Sequence, residues 1–260
     1  MRSTEPETGN TYVIDTANAA ERTRLESQDH LMTEVAGGIF PERLDLTNVY
    51  RILDLACGPG GWAIEAAQSL EVPCVGVDIS PAMIESARLS ARLRGIDDLA
   101  TFRVMDLTHP LAFADGSFDL VNARFLLGFL PRTKWPALLH ECFRVLKEGG
   151  FVLLTEAEWA TTTSPAAEHL ARKALAALQK AGFGFSLDGR TLGVAHALPA
   201  LLRRANGGRD VQCAAHLLNF SSSQPHSTAM VRNLWTTYQL MQPLLKSDTI
   251  LRKRELSTQS

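Results

Sequence analysis

The chain has 260 residues, enough for one domain with a substantial extension at roughly 100–200 residues per domain. Lys and Arg total 26 against 28 Asp and Glu, a net charge of -2, without the basic excess of a dedicated nucleic-acid binder. Apolar residues make up 45 % and charged residues 21 %, which excludes disorder as the dominant state.

Residues 1–10 are polar and acidic, carry no apolar signal core and read as a flexible tail. No stretch approaches the ~18 apolar residues that cross a membrane, so the expected location is cytoplasmic, with no membrane partner. Residues 15–36 have helical spacing, with Leu25, Leu31, Met32 and Val35 among charged neighbours. From residue 49 the pattern becomes strand, helix, strand, helix. Val49 to Leu55 is a short apolar run ending at a Gly-Pro-Gly-Gly turn, and Trp62 to Leu70 reads as a helix. Pro73 to Val77 is a second strand. Ser80 and Pro81 open the next helix as N-cap and first helical residue, and Gly95 closes it. Thr101 to Met105 and Phe118 to Asn122 read as strands three and four. Trp135 to Lys147 is a helix stopped by Gly149 and Gly150, and Phe151 to Thr155 is strand five.

This alternation predicts an α/β fold, a doubly wound, Rossmann-like, mostly parallel sheet with helices on both faces, over residues 45–156. Beyond residue 156 the rhythm breaks. Helices are expected at Pro165 to Ala181, at Leu192 to Ala205, with Pro199 able to interrupt it and Gly207 and Gly208 to close it, and at Ala229 to Gln242, with a sixth strand at Val211 to Phe220. Residues 157–260 therefore read as a helical cap, a sixth strand and a C-terminal helix, with no good seventh strand. An unprotected sheet edge invites pairing with a second copy of the chain.

The four cysteines, Cys57, Cys74, Cys142 and Cys213, are widely spaced and form no CxxC pair. That suits free thiols in a reducing compartment rather than zinc or a disulfide framework, and no metal site is expected.

Chemistry concentrates at residues 52–62, ILDLACGPGGW. Gly58, Gly60 and Gly61 sit where a strand feeds a helix, so backbone can approach a ligand beside free N–H groups. Three successive strands end in Asp54, Asp78 and Asp106. Asp78 is placed for the hydroxyls of a ribose. Gly58 to Ala63 also matches G-x-G-x-x-G/A, which keeps a nicotinamide-dependent oxidoreductase open. Against it, Asp54 would crowd a pyrophosphate with like charge. A ligand carrying an ammonium group and a sulfonium suits that acid better.

Residues 54–60 resemble motif I of class I S-adenosylmethionine-dependent methyltransferases, D/E-x-G-x-G-x-G, with Ala56 in place of the first glycine. VGVDISPAM (residues 75–83), RVMDL (103–107), GSFDLVN (116–122) and RVLKEGG (144–150) resemble the following motifs, in order. Upstream, Tyr12 and the helix AERTRLESQ (residues 20–28) resemble an N-terminal helix that covers the cofactor in small-molecule members, which makes residues 11–44 a lid.

The resemblance implies S-adenosyl-L-methionine as cofactor, S-adenosyl-L-homocysteine as product, and in-line transfer of methyl to an N, O, C or S nucleophile of a small molecule. It implies that the backbone of Ala56, Cys57, Gly58, Pro59 and Gly60 cradles the methionine and ribose part. Asp54 meets the amino group and Asp78 the ribose. Ile79 and Met83 pack on the adenine, which Asp106 and the Leu107 backbone recognise. Asn122, Ala123 and Arg124 pass the sulfonium through backbone groups, Arg124 being equally suited to a structural ion pair. Tyr12, Arg24 and Gln28 cover the methionine end, Arg24 facing the cofactor carboxylate or else pairing with Glu21. No catalytic base is identifiable, although His30 and His169 lie on segments that flank a cleft. A non-catalytic binding module on the same fold therefore stays open. Trp159, Phe183 and Phe185 in the cap favour a small, partly apolar acceptor or else simply hold the helices on the sheet.

Overall fold

The computed structural model describes residues 19–42, 44–205, 210–243 and 245. In order, the elements are α1 (Ala19–Val35), β1 (Ile52–Leu55), α2 (Gly61–Leu70), β2 (Cys74–Asp78), α3 (Pro81–Leu93), β3 (Ala100–Val104) and β4 (Phe118–Arg124). A single 3₁₀ turn (Leu126–Gly128), α4 (Trp135–Val145), β5 (Leu146–Thr155), α5 (Pro165–Lys180), α6 (Val194–Ala205) and α7 (Ser227–Leu240) follow. The five strands form one sheet in the order β3-β2-β1-β4-β5, and every pairing is parallel. The chain builds outward from β1 to β3, then crosses back to place β4 on the other side of β1. Ligands of such sheets bind at this reversal, beyond the carboxyl ends of the strands.

The apolar runs explain the layers. Ile52, Cys74 and Leu120 face α2 and α3 on one side of the sheet. Leu53, Leu55, Val75, Val77 and Val121 face α4 and α6 on the other. With both faces covered, the strands carry apolar side chains continuously rather than alternately. Local signals set the helix ends. Ser80 Oγ accepts from the Met83 N–H at 3.4 Å, with Pro81 as first helical residue. Gly95, at φ 68°, closes α3.

Three expectations are corrected. α4 ends at Val145 and β5 begins at Leu146, because Phe118 pairs with Leu146 before the register slips and resumes at Leu120–Phe151. Lys147 to Gly150 form the bulge, with Gly149 at φ 80°. Second, α6 runs straight through Pro199 instead of breaking there. Third, Val211–Phe220 is neither strand nor helix. The segment lies on the surface, with Leu217 96 % exposed, and polar Gln212, His216 and Asn219 leave it no apolar face for the sheet. Among the described residues there is no sixth or seventh strand. The cap therefore follows β5 without a return to the sheet. The expected tail at 1–10, the glycines at 207–208 and the C-terminal stretch from 246 lie outside the described residues.

The cap has a core of its own, in which Ala174 and Leu178 of α5 pack with Phe183, Met241 and Tyr238. α1 packs along α7. No described helix is long and apolar enough to cross a membrane.

Gly76 gives a direct test of this packing. A Cβ there would stand 2.6 Å from Phe102 and 2.9 Å from Cys57 Sγ. Gly76→Ala should cost about 1–3 kcal/mol by overpacking. Urea unfolding should show a lower midpoint with an unchanged slope. A midpoint equal to wild type would mean that β2 and β3 are not packed as described.

Candidate functional site

The β1–α2 connection is a turn of alternating left-handed residues, Ala56 at φ 53°, Gly58 at φ 53° and Gly60 at φ 85°. Its N–H groups are pinned from within: Cys57 donates to Val77 O at 2.9 Å and Gly60 to Cys57 O at 3.0 Å. The glycines have different reasons. A Cβ on Gly60 would overlap Ala87 and Phe102, so that glycine lets the turn sit down on α3 and β3. A Cβ on Gly58 would meet nothing within 4 Å, so that glycine faces open space. Ala56 holds the left-handed conformation despite its methyl, at a cost of about 1–2 kcal/mol.

Asp78, at the end of β2, holds this turn in place. Its Oδ2 accepts from the Gly58 N–H at 3.0 Å and its Oδ1 from the Ser80 N–H at 2.8 Å. Burial raises its pKa, opposed by those two N–H groups. Beside it Asp54, 3 % exposed, accepts from Asn122 Nδ2 at 2.7 Å. Burial pushes Asp54 up to about 7, against the Asn122 hydrogen bond and with a further push from Asp78. The Asn122 Oδ1 is buried without a hydrogen-bond partner. A buried acid beside a half-buried one and an orphaned carbonyl oxygen, with open space over Gly58, make a site that a cationic donor would satisfy.

At the tip of β4, Arg124 is ion-paired with Asp29 of α1 and donates to Thr33 Oγ1 at 3.3 Å. Burial lowers the Arg124 pKa to about 10. A Cβ on Gly61 would overlap Asp29 Oδ2, so this carboxylate lies against the first residue of α2. α1 thus closes over the carboxyl edge of the sheet. Asn122 was expected to contribute backbone groups, and the structure engages it through its side chain; Arg124 takes the ion-pair alternative. Ala123 is buried toward α4 and α6, leaving only its backbone for the edge.

The other expected residues divide. Asp106 follows β3, and its neighbour Met105 donates to Asp78 O at 2.9 Å, so both acids lie at one edge. Asp106 Oδ1 accepts from the Thr108 N–H at 2.8 Å, and Oδ2 lies 3.0 Å from His109 Nδ1. Ile79 and Cys57 are half-buried, whereas Met83 and Leu107 are buried. Pro59 bridges the two glycines that differ in role. Arg24 pairs with Glu21 at 2.7 Å, with Gln28 Oε1 at 2.6 Å and with Asn233 of α7 at 3.4 Å, which is the ion-pair alternative rather than a free fork. Tyr12 lies outside the described residues. His30 and His169 are exposed, His30 3.8 Å from Glu34. Phe185 packs edge-on to Trp135 at 5.8 Å and Trp159 against Tyr238 at 6.2 Å, so the cap aromatics hold helices together.

One acid escaped sequence reasoning. Glu156 directly follows β5 and accepts from the Leu126 N–H at 2.7 Å, capping the 3₁₀ turn beyond β4. Burial pushes its carboxyl up to about 8, against the Leu126 and Leu127 N–H groups. The signal was present: FVLLTE is another apolar strand ending in an acid, as in ILD and VGVD.

The family profile described as "Methyltransferase domain" matches residues 52–150. Over these residues the chain is similar to methyltransferase domains. The chain is 35 % identical over 116 residues to a demethylmenaquinone methyltransferase of Lactiplantibacillus plantarum, covering 44 % of this chain and 48 % of that one. It is 32 % identical over 134 residues to a 27-O-demethylrifamycin SV methyltransferase of Amycolatopsis mediterranei, covering 52 % and 47 %. The chain spans about half the length of these relatives. A solved Methanosarcina mazei structure described as a SAM-dependent methyltransferase is 32 % identical, covers 40 % of this chain and 50 % of that one, and has a TM-score of 0.37. Neither an oxidoreductase nor a non-catalytic module gains support from these likenesses.

Two outcomes check the site. Ala56→Gly should stabilise the fold by about 0.5–1 kcal/mol, since relief of left-handed strain exceeds the added freedom of the unfolded chain; a loss of stability on chemical denaturation would contradict the strain. Asp54→Asn has a pH signature. The folded-state pKa of Asp54, about 7, exceeds its ordinary value, so the folded chain holds the extra proton between about pH 4 and 7. Its contribution is fully present below pH 4 and is lost as pH rises through 7. Asp54→Asn should therefore gain stability relative to wild type across that window, by about 4 kcal/mol at pH 8. Parallel stability curves for the two proteins would refute the buried acid.

Proposed function

We propose that this chain transfers a methyl group from S-adenosylmethionine to a nucleophile of a small molecule and releases S-adenosylhomocysteine. The observation that carries it is the row of acids along one sheet edge, Asp106, Asp78 and Asp54, set around a left-handed glycine turn. A ligand with a nucleoside at one end and cationic groups at the other meets that row in register. Asp78 would take the ribose hydroxyls on the lone pairs left free by Gly58 and Ser80. Asp54 and the Asn122 Oδ1 would hold the ammonium group, and the turn from Ala56 to Gly60 would shape the seat. Ile79, Met83, Asp106 and Leu107 would receive the adenine. The bound sulfonium supplies an activated methyl with a neutral thioether as leaving group. The protein's part is alignment and exclusion of water.

Residues 45–156 serve as the cofactor core, residues 11–44 as the lid, and the cap after residue 157 as the place where the acceptor is chosen. Neutral overall charge supports a small-molecule acceptor over a nucleic acid. The relatives' printed names, a demethylmenaquinone methyltransferase and a 27-O-demethylrifamycin SV methyltransferase, support a small-molecule acceptor. The outer edge of β5 has no strand neighbour among the described residues, which supports a homodimer through that edge. A cytoplasmic location fits the free thiols.

Thermal denaturation with S-adenosylhomocysteine tests the reading. At 100 times its dissociation constant the ligand should add about 2.7 kcal/mol. NADH should add nothing, and Asp78→Ala should abolish most of the effect. Stabilisation by NADH without any by S-adenosylhomocysteine would reverse the conclusion.

A further inference from the structure

We propose that Glu156 stands beside the transferable methyl as the base that takes the proton of the methyl acceptor, which makes the acceptor a weakly acidic O–H or activated C–H compound such as a phenol or an enol. This rests on the methyl-transfer reading above.

The sheet order carries the placement. Along the carboxyl edge the acids run Asp106 after β3, Asp78 on β2 and Asp54 on β1. β4 comes next, then β5, which ends one residue before Glu156. If the nucleoside end lies toward β3 and the ammonium at β1, the sulfonium points toward β4, and the acceptor must approach in line from the β5 side. Glu156 is the first carboxyl on that side; Glu158, two residues on, is turned to the Leu192, Gly193 and Ala195 N–H groups at the start of α6. Arg124 pairs with Thr155 in the ladder, and the Phe125 N–H donates to Thr155 O at 2.9 Å, so the two strand tips are locked together. Phe125 adopts a left-handed conformation, φ 57°, which swings the 3₁₀ turn round to present its N–H groups to Glu156. The carboxyl is thus aimed by peptide N–H groups, and no ion pair to a cation is recorded for it among the described residues.

The charged groups around it are Glu158 on its own segment, which pushes its pKa up, and Arg124 at the tip of β4, which is engaged by Asp29 of α1. A carboxylate that titrates near 8 matches the proton affinity of a weakly acidic hydroxyl at neutral pH. The step balances. The acceptor's X–H bond breaks and its proton goes to a Glu156 oxygen. The X–H electron pair forms the bond to the methyl carbon, and the carbon–sulfur pair stays on sulfur. An amine that reaches the site uncharged would need no such base before attack.

The test compares S-adenosylmethionine with S-adenosylhomocysteine by calorimetric titration between pH 6.5 and 9.5. Both carry the ammonium group, and whatever its ionisation and Asp54 contribute is common to wild type and Glu156→Gln, so the difference between the two proteins in the ratio of dissociation constants reads Glu156 alone. If Glu156 faces the sulfonium, the ratio should move about ten-fold in favour of S-adenosylmethionine as Glu156 ionises, one unit of mutual pKa shift. In Glu156→Gln, which keeps an oxygen for the Leu126 N–H, that shift should be absent, with the S-adenosylhomocysteine affinity unchanged; the melting temperature should rise at alkaline pH, because a buried acid is gone. On any acceptor that the wild type methylates, the same variant should lower kcat at least about 100-fold at pH 7.5 with KM nearly unchanged. A flat ratio in the wild type, a wild-type rise retained in the variant, or an unchanged kcat would each overturn the proposal. If neither ligand binds at any pH, the methyl-transfer reading itself fails.

Discussion

One carboxylate organises the working edge of this fold. Asp78 receives the N–H of Gly58 from the turn after β1 and the N–H of Ser80 from the turn after its own strand. Its carbonyl receives the N–H of Met105 at the end of β3. Three strand ends are therefore fixed relative to one another by a single residue. Backbone N–H groups are strong donors in fixed positions, so the arrangement does not depend on flexible side chains. Everything proposed about the cofactor presupposes that these turns keep their spacing.

The edge is also electrostatically unbalanced. Asp54, Asp78 and Glu156 all have pKa values raised by burial. Arg124, the cation at the tip of β4, is engaged by Asp29. Folding thus leaves acids poorly solvated at the edge, at some cost in stability. A ligand that brings positive charge relieves that cost, so part of the folding penalty becomes binding energy. The orphaned Asn122 Oδ1 follows the same logic on a smaller scale.

Much of the fold was legible because its signals are local. Each strand of the core is an apolar run that stops at a turn, and Ser80 with Pro81 marks a helix start by chemistry confined to four residues. The glycine turn was legible for the same reason, even with Ala56 in place of glycine. What escaped were properties of pairs far apart in the chain. No local pattern says that Asp29 is the partner Arg124 meets, or that Asn122 works through its side chain. Val211–Phe220 has strand-like composition, but a strand also needs a neighbour with a free edge and a face to bury, and neither is written into ten residues. The bulge at Lys147 to Gly150 reflects a register shift against β4, which single-strand reading cannot see. Glu156 differs from these. It obeyed the strand-then-acid rule that had already singled out Asp54 and Asp78, and it escaped only because that rule was not carried to the fifth strand.

α1 is fastened at both ends of its length. Near its C-terminal end Asp29 and Thr33 hold Arg124 at the mouth of the sheet. Nearer its start Arg24 and Asn233 of α7 exchange hydrogen bonds, at 3.4 Å and 3.3 Å. α7 in turn contributes Tyr238 to the core of the cap, against Trp159. A helix held this way behaves as a strut. It cannot lift from the mouth without either parting from α7 or carrying the cap with it. Any displacement of α1 at the mouth is therefore felt in the cap, and a rearrangement of the cap is felt at the mouth.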